Sequence, residues 1–320
     1  MFLYVLVYLF ATNPNRRNEM ENQLLTHLAA ETPQVTAPSI SSSAMFAELS
    51  IGNWTARKLD RKATKQTTAA NGASEDAGAF HKKLIASPTL DAVQKHIAHT
   101  RTNIHYHLTM PWSDLGVRLL PTAVFPEYYG LLTEAETKYY ALVNEFLQEY
   151  GWAQAQAQAR LGNLFSSDDY PSVEIVSSKF RFRHAQTPIP EVGDFRLNIG
   201  QEAQEELRKQ YATHYANQYQ SAMGDVWERT YDALKKMSER LDYTDSDNKK
   251  IFRDSLVDNV RDMLGLLSKF NITGDQRMEN MRVRLEDAML GVSPDALRDD
   301  DSFRLETKTK VDAIINSMNW

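Results

Sequence analysis

The sequence predicts an α+β fold that is predominantly α-helical, with long helices packed against a small antiparallel or mixed β-sheet. Three observations carry this. Apolar positions between 201 and 241 step by threes, fours or their multiples, as one face of a helix requires. Phe180 to His184 and Asp194 to Ile199 alternate apolar and polar residues, the period of a strand. Proline and aspartate mark the joints between such runs, while glycine is scarce at 13 of 320, which argues against folds built on glycine-rich phosphate loops.

Taken in order, the first eleven residues are almost wholly apolar. A spanning helix needs about 20 such residues, and Arg16 and Arg17 follow the run instead of preceding it, unlike a signal peptide. Residues 31 to 44, rich in Thr, Pro and Ser, have linker composition. Residues 1–44 are therefore expected to be a flexible leader and linker, dispensable for folding, with residues 1–19 set apart as a tail or an upstream-start artefact. Met45 to Thr55 alternates as a strand, and Ala56 to Gln66 continues as a basic helix or strand extension. Residues 67 to 78 read as a loop.

Ser87-Pro88 starts a helix running to about Ile104, with Leu90, Val93, Ile97 and Ile104 as its buried stripe. Pro111 and Pro121 bracket an irregular joint in which Trp112 plugs the core and Asp114 pairs with Arg118 or caps the turn. Thr133 to Glu136 has capping-box spacing, so a long helix is expected from there through the Ala-Gln run to Leu161. Asp169 before Tyr170-Pro171 reads as the N-cap of a helix beginning near Ser172. Two strands follow, then a helix from Gln201 to Leu241. About 40 residues at ~1.5 Å each span ~60 Å, so this helix must lie along another, in this chain or in a partner. Helices at Phe252–Phe270, from a Thr273–Gln276 cap to near Leu290, after Ser293-Pro294, and at the C-terminus complete the chain. The expected domains are a mixed α/β region at 45–200 and a helical region at 201–320.

Cysteine is absent, which excludes disulfides, thiolate metal sites and cysteine nucleophiles. Net charge is −6, but residues 55 to 101 carry nine basic groups against four acids, while residues 161 to 320 carry 22 basic and 28 acidic groups. A basic segment on an acidic body can meet an anionic partner or the chain's own acidic half. Arg57, Lys58, Arg61, Lys62 and Lys65, with Arg181, Arg183 and Arg196 on the alternating strands, are the candidate nucleic-acid-binding residues. Strand alternation sets Phe180, Phe182 and Phe195 on the opposite face from those arginines. His96, His99, His105 and His107 are weak candidates for zinc, because i and i+3 spacing is poorer than i and i+4 and no carboxylate adjoins them. Asp242 to Asp247 hints at a calcium loop, but the required glycine and glutamate positions fall on Lys250 and Leu256. No phosphate-loop, dinucleotide, nucleophile-elbow or His-Glu-x-x-His motif occurs. The residues thus point to no catalytic group, metal or other cofactor.

Met110-Pro-Trp-Ser-Asp-Leu-Gly-Val-Arg-Leu-Leu-Pro121, Leu161-Gly-Asn-Leu-Phe165, Asp169-Tyr-Pro-Ser172 and Asp194-Phe-Arg-Leu-Asn198 resemble an uncharacterised family of tailed-bacteriophage and prophage proteins. The likeness covers roughly residues 45 to 210. It implies action in a bacterial host cytoplasm, with an AAA ATPase as a possible partner, and supplies no reaction. The expected function is a non-enzymatic interaction or assembly protein, self-associating or meeting a protein partner through long, coiled-coil-like helices. The alternative is a nucleic-acid-binding accessory protein of phage replication or recombination.

Overall fold

A computed structural model describes residues 37–114, 116–190, 200–243 and 253–318. The expected strand at 194–199, Arg196, the polar turn at 244–247 and the leader up to residue 36 lie outside the described residues. The fold is α+β and mostly helical, as the sequence predicts. A short helix α1 (Ala37–Ser43) leads into β1 (Ala44–Ile51). Ile40 and Ala44 are buried. The ordered body therefore begins before Met45, which corrects the expected linker for its last eight residues.

The chain forms two compact units that do not follow chain order. One takes described residues up to 47, then 109–125 and 186 onward; the other takes 48–108 and 126–185. These units cut the chain differently from the expected boundaries at 44/45 and 200/201. The joint between Pro111 and Pro121 is not irregular: it holds β4 (Met110–Pro111) and β5 (Arg118–Pro121), which pair antiparallel. β5 pairs in turn with the start of β1, placing Met45 opposite Leu120 and Phe46 opposite Leu119. With β6 (Phe182–Pro188) the sheet order is β4-β5-β1-β6. Two- and four-residue strands bracketed by proline leave too short an alternation to be read from sequence.

In the helical unit, α6 (Gln201–Leu241) starts and ends where its periodicity does. Tyr215, Tyr219, Val226, Leu234, Met237 and Leu241 are buried along one stripe, and the helix packs on α7 (Ser255–Phe270) and α10 (Asp301–Ser317). Its first fourteen residues carry no buried side chain. α8 (Gln276–Ala288) is capped by Asp275, whose carboxylate accepts from Arg277 N at 2.7 Å, and not by Thr273. α9 (Pro294–Asp299) uses Ser293 as expected. Trp112 is buried as predicted, 5.5 Å from the Phe46 ring and 5.2 Å from Tyr215. Arg118 donates to Thr109 Oγ1 at 2.6 Å and to Thr109 O at 3.0 Å.

The mixed unit is organised by α4 (Phe125–Leu161), which begins eight residues before Thr133. The Thr133 hydroxyl donates to Tyr129 O at 2.9 Å within the helix, so the capping box is not used. An i−4 carbonyl satisfies a threonine hydroxyl as well as a cap does. Tyr139, Phe146 and Tyr150 of α4 pack with Trp54, Phe180 and Phe182. Gly52 donates to Arg181 O at 2.6 Å; a Cβ there would lie 2.6 Å from Lys179 O, so only glycine admits this approach. The helix that starts at Ser87-Pro88 is α3 (Pro88–His99), and it continues as a seven-residue π-helix, Thr100–Tyr106. No helix among the described residues is long and apolar enough to cross a membrane.

Candidate nucleic-acid interface

The basic run resolves into a strand, a helix and an unexpected partner strand, all in the mixed unit. β2 (Arg57–Leu59) carries Arg57 and Lys58, and α2 (Arg61–Ala70) carries Arg61, Lys62 and Lys65. Asp60 sits between them because its carboxylate accepts from Ala63 N at 2.9 Å, ending the strand and capping the helix. β3 (His81–Lys83) pairs antiparallel with β2, setting Arg57 opposite Lys83 and Lys58 opposite Lys82. Two successive like-charge cross-strand pairs are unfavourable unless something answers them.

On the inner face Asp169 does so. Its carboxylate lies 2.5 Å from Lys58 Nζ and 2.6 Å from Lys82 Nζ. Asp60 approaches Lys82 at 3.3 Å, and Lys82 also donates to Leu164 O at 2.7 Å. The Lys82 side chain is only 8% exposed and that of Asp169 only 7%, so their pair is covered, while Lys58 reaches Asp169 from a half-exposed position. Desolvation works to raise the Asp169 pKa, but the Lys58 and Lys82 ammonium groups outweigh it and hold the carboxyl below its ordinary value. Burial works against the Lys82 charge, and the two carboxylates more than restore it. Asp60 is held down chiefly by the Ala63 amide, against a smaller burial effect and with help from Lys82. The sequence reading of Asp169 as an N-cap is therefore corrected: α5 (Val173–Ser177) has Ser172 at its cap position, without a side-chain cap bond, and Asp169 turns to the lysines instead.

Strand β3 is further tied down through its C-terminal end. Arg160 at the end of α4 donates Nη2 to the carbonyls of Lys83 and Leu84, and Tyr170 Oη donates to Leu84 O at 3.0 Å. Leu84 N donates to Ala56 O at 2.7 Å, and Ala56, fully buried, adopts φ +50°. A non-glycine residue in that region is held there by its surroundings.

Of the expected interface residues, the structure brings Arg57, Lys58, Arg61, Lys62 and Lys65 onto this strand–helix element. Lys58 is held by Asp169, and Lys65 pairs with Glu75 at 2.9 Å. Arg57, Arg61 and Lys62 are exposed, with no carboxylate within 4.0 Å among the described residues. Arg181 and Arg183 are exposed about the start of β6, on the face opposite buried Phe182, as alternation predicts. Sequence reasoning missed the pairing of Lys82 and Lys83 with the basic run, and the parts played by Asp169 and Arg160. The three-residue run His81-Lys82-Lys83 carries no alternation to reveal them.

The four histidines do not converge. His96 Nε2 lies 2.8 Å from Ala135 O, and the buried His105 places Nδ1 2.8 Å from Tyr128 Oη. His99 is exposed. No group of three or more metal-ligating side chains occurs among the described residues.

No family model, curated protein or solved structure matches this chain. The arrangement itself therefore carries the functional argument. It is a small, internally neutralised scaffold that displays three cations, Arg57, Arg61 and Lys62, with no carboxylate within 4.0 Å among the described residues.

Proposed function

We propose that this protein acts by binding, as a nucleic-acid-binding accessory protein whose contact surface is the β2–α2 element of the mixed unit. The observation that supports the reading is the density of charge: five cations in the nine residues from Arg57 to Lys65, against a single carboxylate that is occupied as a helix cap. A clustered basic strip is the electrostatic footprint of phosphate-backbone contact. The setting suggested by the phage resemblance, a bacterial cytoplasm during viral replication or recombination, belongs to the same proposal. The test is fluorescence anisotropy of labelled single-stranded and duplex DNA. Affinity is expected to fall steeply with salt, with a slope of ~0.7–0.9 per phosphate contact, and the Arg61→Glu/Lys62→Glu double variant is expected to lose binding. Wild-type protein that binds neither DNA at low salt removes the proposal.

A second reading is an interaction or assembly protein that acts through its long helices. Most of the length of α6 is used inside its own unit, against α7 and α10. The observation that favours the reading is the remainder, fourteen residues with no buried side chain, about 21 Å of helix. A protein partner, a second copy or an AAA ATPase would meet this stretch. Light scattering at low concentration, compared with a Leu207→Asp/Tyr211→Asp variant, tests it; a strict monomer with no co-purifying protein removes it.

A further inference from the structure

The β2–β3 hairpin holds two like-charge pairs of the same kind and answers them differently. Strand alternation sends Lys58 and Lys82 to one face and Arg57 and Lys83 to the other. On the inner face one carboxylate, Asp169, bridges both ammonium groups at 2.5 and 2.6 Å. On the outer face Arg57 and Lys83 have no bridging anion among the described residues. Lys83 instead pairs with Asp91 at 3.3 Å, where both side chains are well exposed and the pair is weak. Arg160 is pinned beside the same strand by its bonds to the Lys83 and Leu84 carbonyls.

From this we infer that the outer face of the hairpin is an oxyanion site, in which a phosphate group bridges Arg57 and Lys83 as Asp169 bridges Lys58 and Lys82. The chemistry fits a phosphoryl group better than a lone carboxylate. Two cations stand opposite each other across the strands, and a phosphate presents more acceptor oxygens to them, while guanidinium forks match phosphate geometry. The hairpin is suited to this work because it is already built. Asp169, Asp60 and Leu164 O hold Lys82 from below, Arg160 and Tyr170 hold the β3 end, and Ala56 O receives Leu84 N. The strand backbone that carries the pair is thus held before any ligand arrives, so that binding has only the two side chains to order. The site rests on the nucleic-acid reading for the source of its phosphate, but not for its chemistry.

The experiment follows the arginine Nε–Hε signals of the full chain labelled with nitrogen-15 as inorganic phosphate is added. The Arg57 signal is identified by its loss in Arg57→Lys. The Arg57 signal is expected to shift saturably, the shift to vanish in Lys83→Gln, and Asp91→Asn to bind phosphate more tightly because it removes the carboxylate paired with Lys83. The last effect runs opposite to damage and so is not mimicked by a misfolded variant. A motionless Arg57 signal, or shifts indifferent to both Lys83→Gln and Asp91→Asn, overturns the site. Labelled single-stranded DNA then separates a chain phosphodiester from free phosphate. If the chain phosphate is the occupant, Arg57→Gln/Lys83→Gln lowers the salt slope by about two contacts at ~0.7 each. If Arg61→Glu/Lys62→Glu abolishes DNA binding while Arg57→Gln/Lys83→Gln leaves it unchanged, the accessory function stands and the bridging site as a DNA contact falls.

Discussion

Replacing Lys82 with methionine asks whether the covered ion network or the surrounding packing holds the β2–β3 hairpin to residues 164–170. Methionine keeps the unbranched length and deletes the charge. The change removes the ion pair with Asp169, the approach to Asp60 and the bond to Leu164 O. Removing one partner of a fully buried pair costs roughly 3–5 kcal/mol, because the other charge is left without compensation. Here two effects reduce that figure. Asp169 keeps Lys58 at 2.5 Å, and loss of Lys82 relieves the repulsion with Lys58 across the strands, up to ~1 kcal/mol. The expected loss is therefore about 2 kcal/mol, read as a lower urea midpoint at unchanged slope.

The pH dependence gives a second check. The Asp169 and Asp60 carboxyls are held below their ordinary range and the Lys82 ammonium above its own. The carboxylate contribution is complete above the unfolded carboxyl range near ~4 and fades as pH falls through the lowered native values. The lysine contribution is complete below ~10.5 and fades as pH rises through the raised native value. The gap between wild type and Lys82→Met should thus be constant through neutral pH and close in acid. A gap under ~0.5 kcal/mol at pH 7, the usual range of surface changes, or one that persists unchanged in strong acid, would refute the argument. A cycle with Asp169→Asn should show a coupling of about 1 kcal/mol or more.

Other outcomes follow from single positions. Ala56→Val puts a β-branched side chain at φ +50° in a fully buried site, and should destabilise by more than about 2 kcal/mol in the same urea assay. Gly52→Ala forces the Lys179 carbonyl to give way from a 2.6 Å clash, and should lower the melting temperature by several degrees; an unchanged melt would mean that the 52–181 approach is loose. Burial, then the nearby Tyr140, pushes the Tyr139 hydroxyl up to about 12 while it donates to Gly52 O. Ultraviolet titration should therefore show several late tyrosines, Tyr215 and Tyr219 among them, with one fewer in Tyr139→Phe. The Tyr139 contribution is present below the ordinary tyrosine range near ~10 and is lost as pH rises through about 12. A chain starting at Met45 loses buried Ile40 and Ala44, and should melt lower by an amount near 2 kcal/mol; an unchanged melt would restore the linker reading for residues 37–44.

The parts of this fold legible in the sequence are those set by local chemistry. Ser87-Pro88 and Ser293-Pro294 announce their helices because a serine cap and a proline in the first turn need no tertiary context. α6 shows both its ends because its apolar period is long. The failures share a cause. Thr133 to Glu136 has the spacing of a capping box, yet a helix already running from Phe125 overrides it. Asp169 stands where a cap would stand, but two lysines more than eighty residues earlier are stronger partners than free amides. The π-helix at Thr100–Tyr106 has the composition of an ordinary α-helix. Of the interface, the Arg57–Lys65 run was plain as composition. The strand pairing that doubles it, and the carboxylate that neutralises half of it, exist only once distant segments meet.

The two units interleave along the chain: the polypeptide leaves one after residue 47, returns at 109, leaves again after 125 and returns at 186. β1 starts in one and finishes in the other. A ribosome emitting this chain therefore cannot release a finished first domain while it makes the second. The mixed unit lacks Phe182 and the 180s until most of the chain has emerged, and the helical unit waits for its last helix. Contacts of such sequence separation carry a large loop-closure cost before they return any stability. Long-lived partly closed nascent chains are the consequence, and with them a dependence of yield on translation speed and on holdase chaperones that neither unit would show if its segments were contiguous.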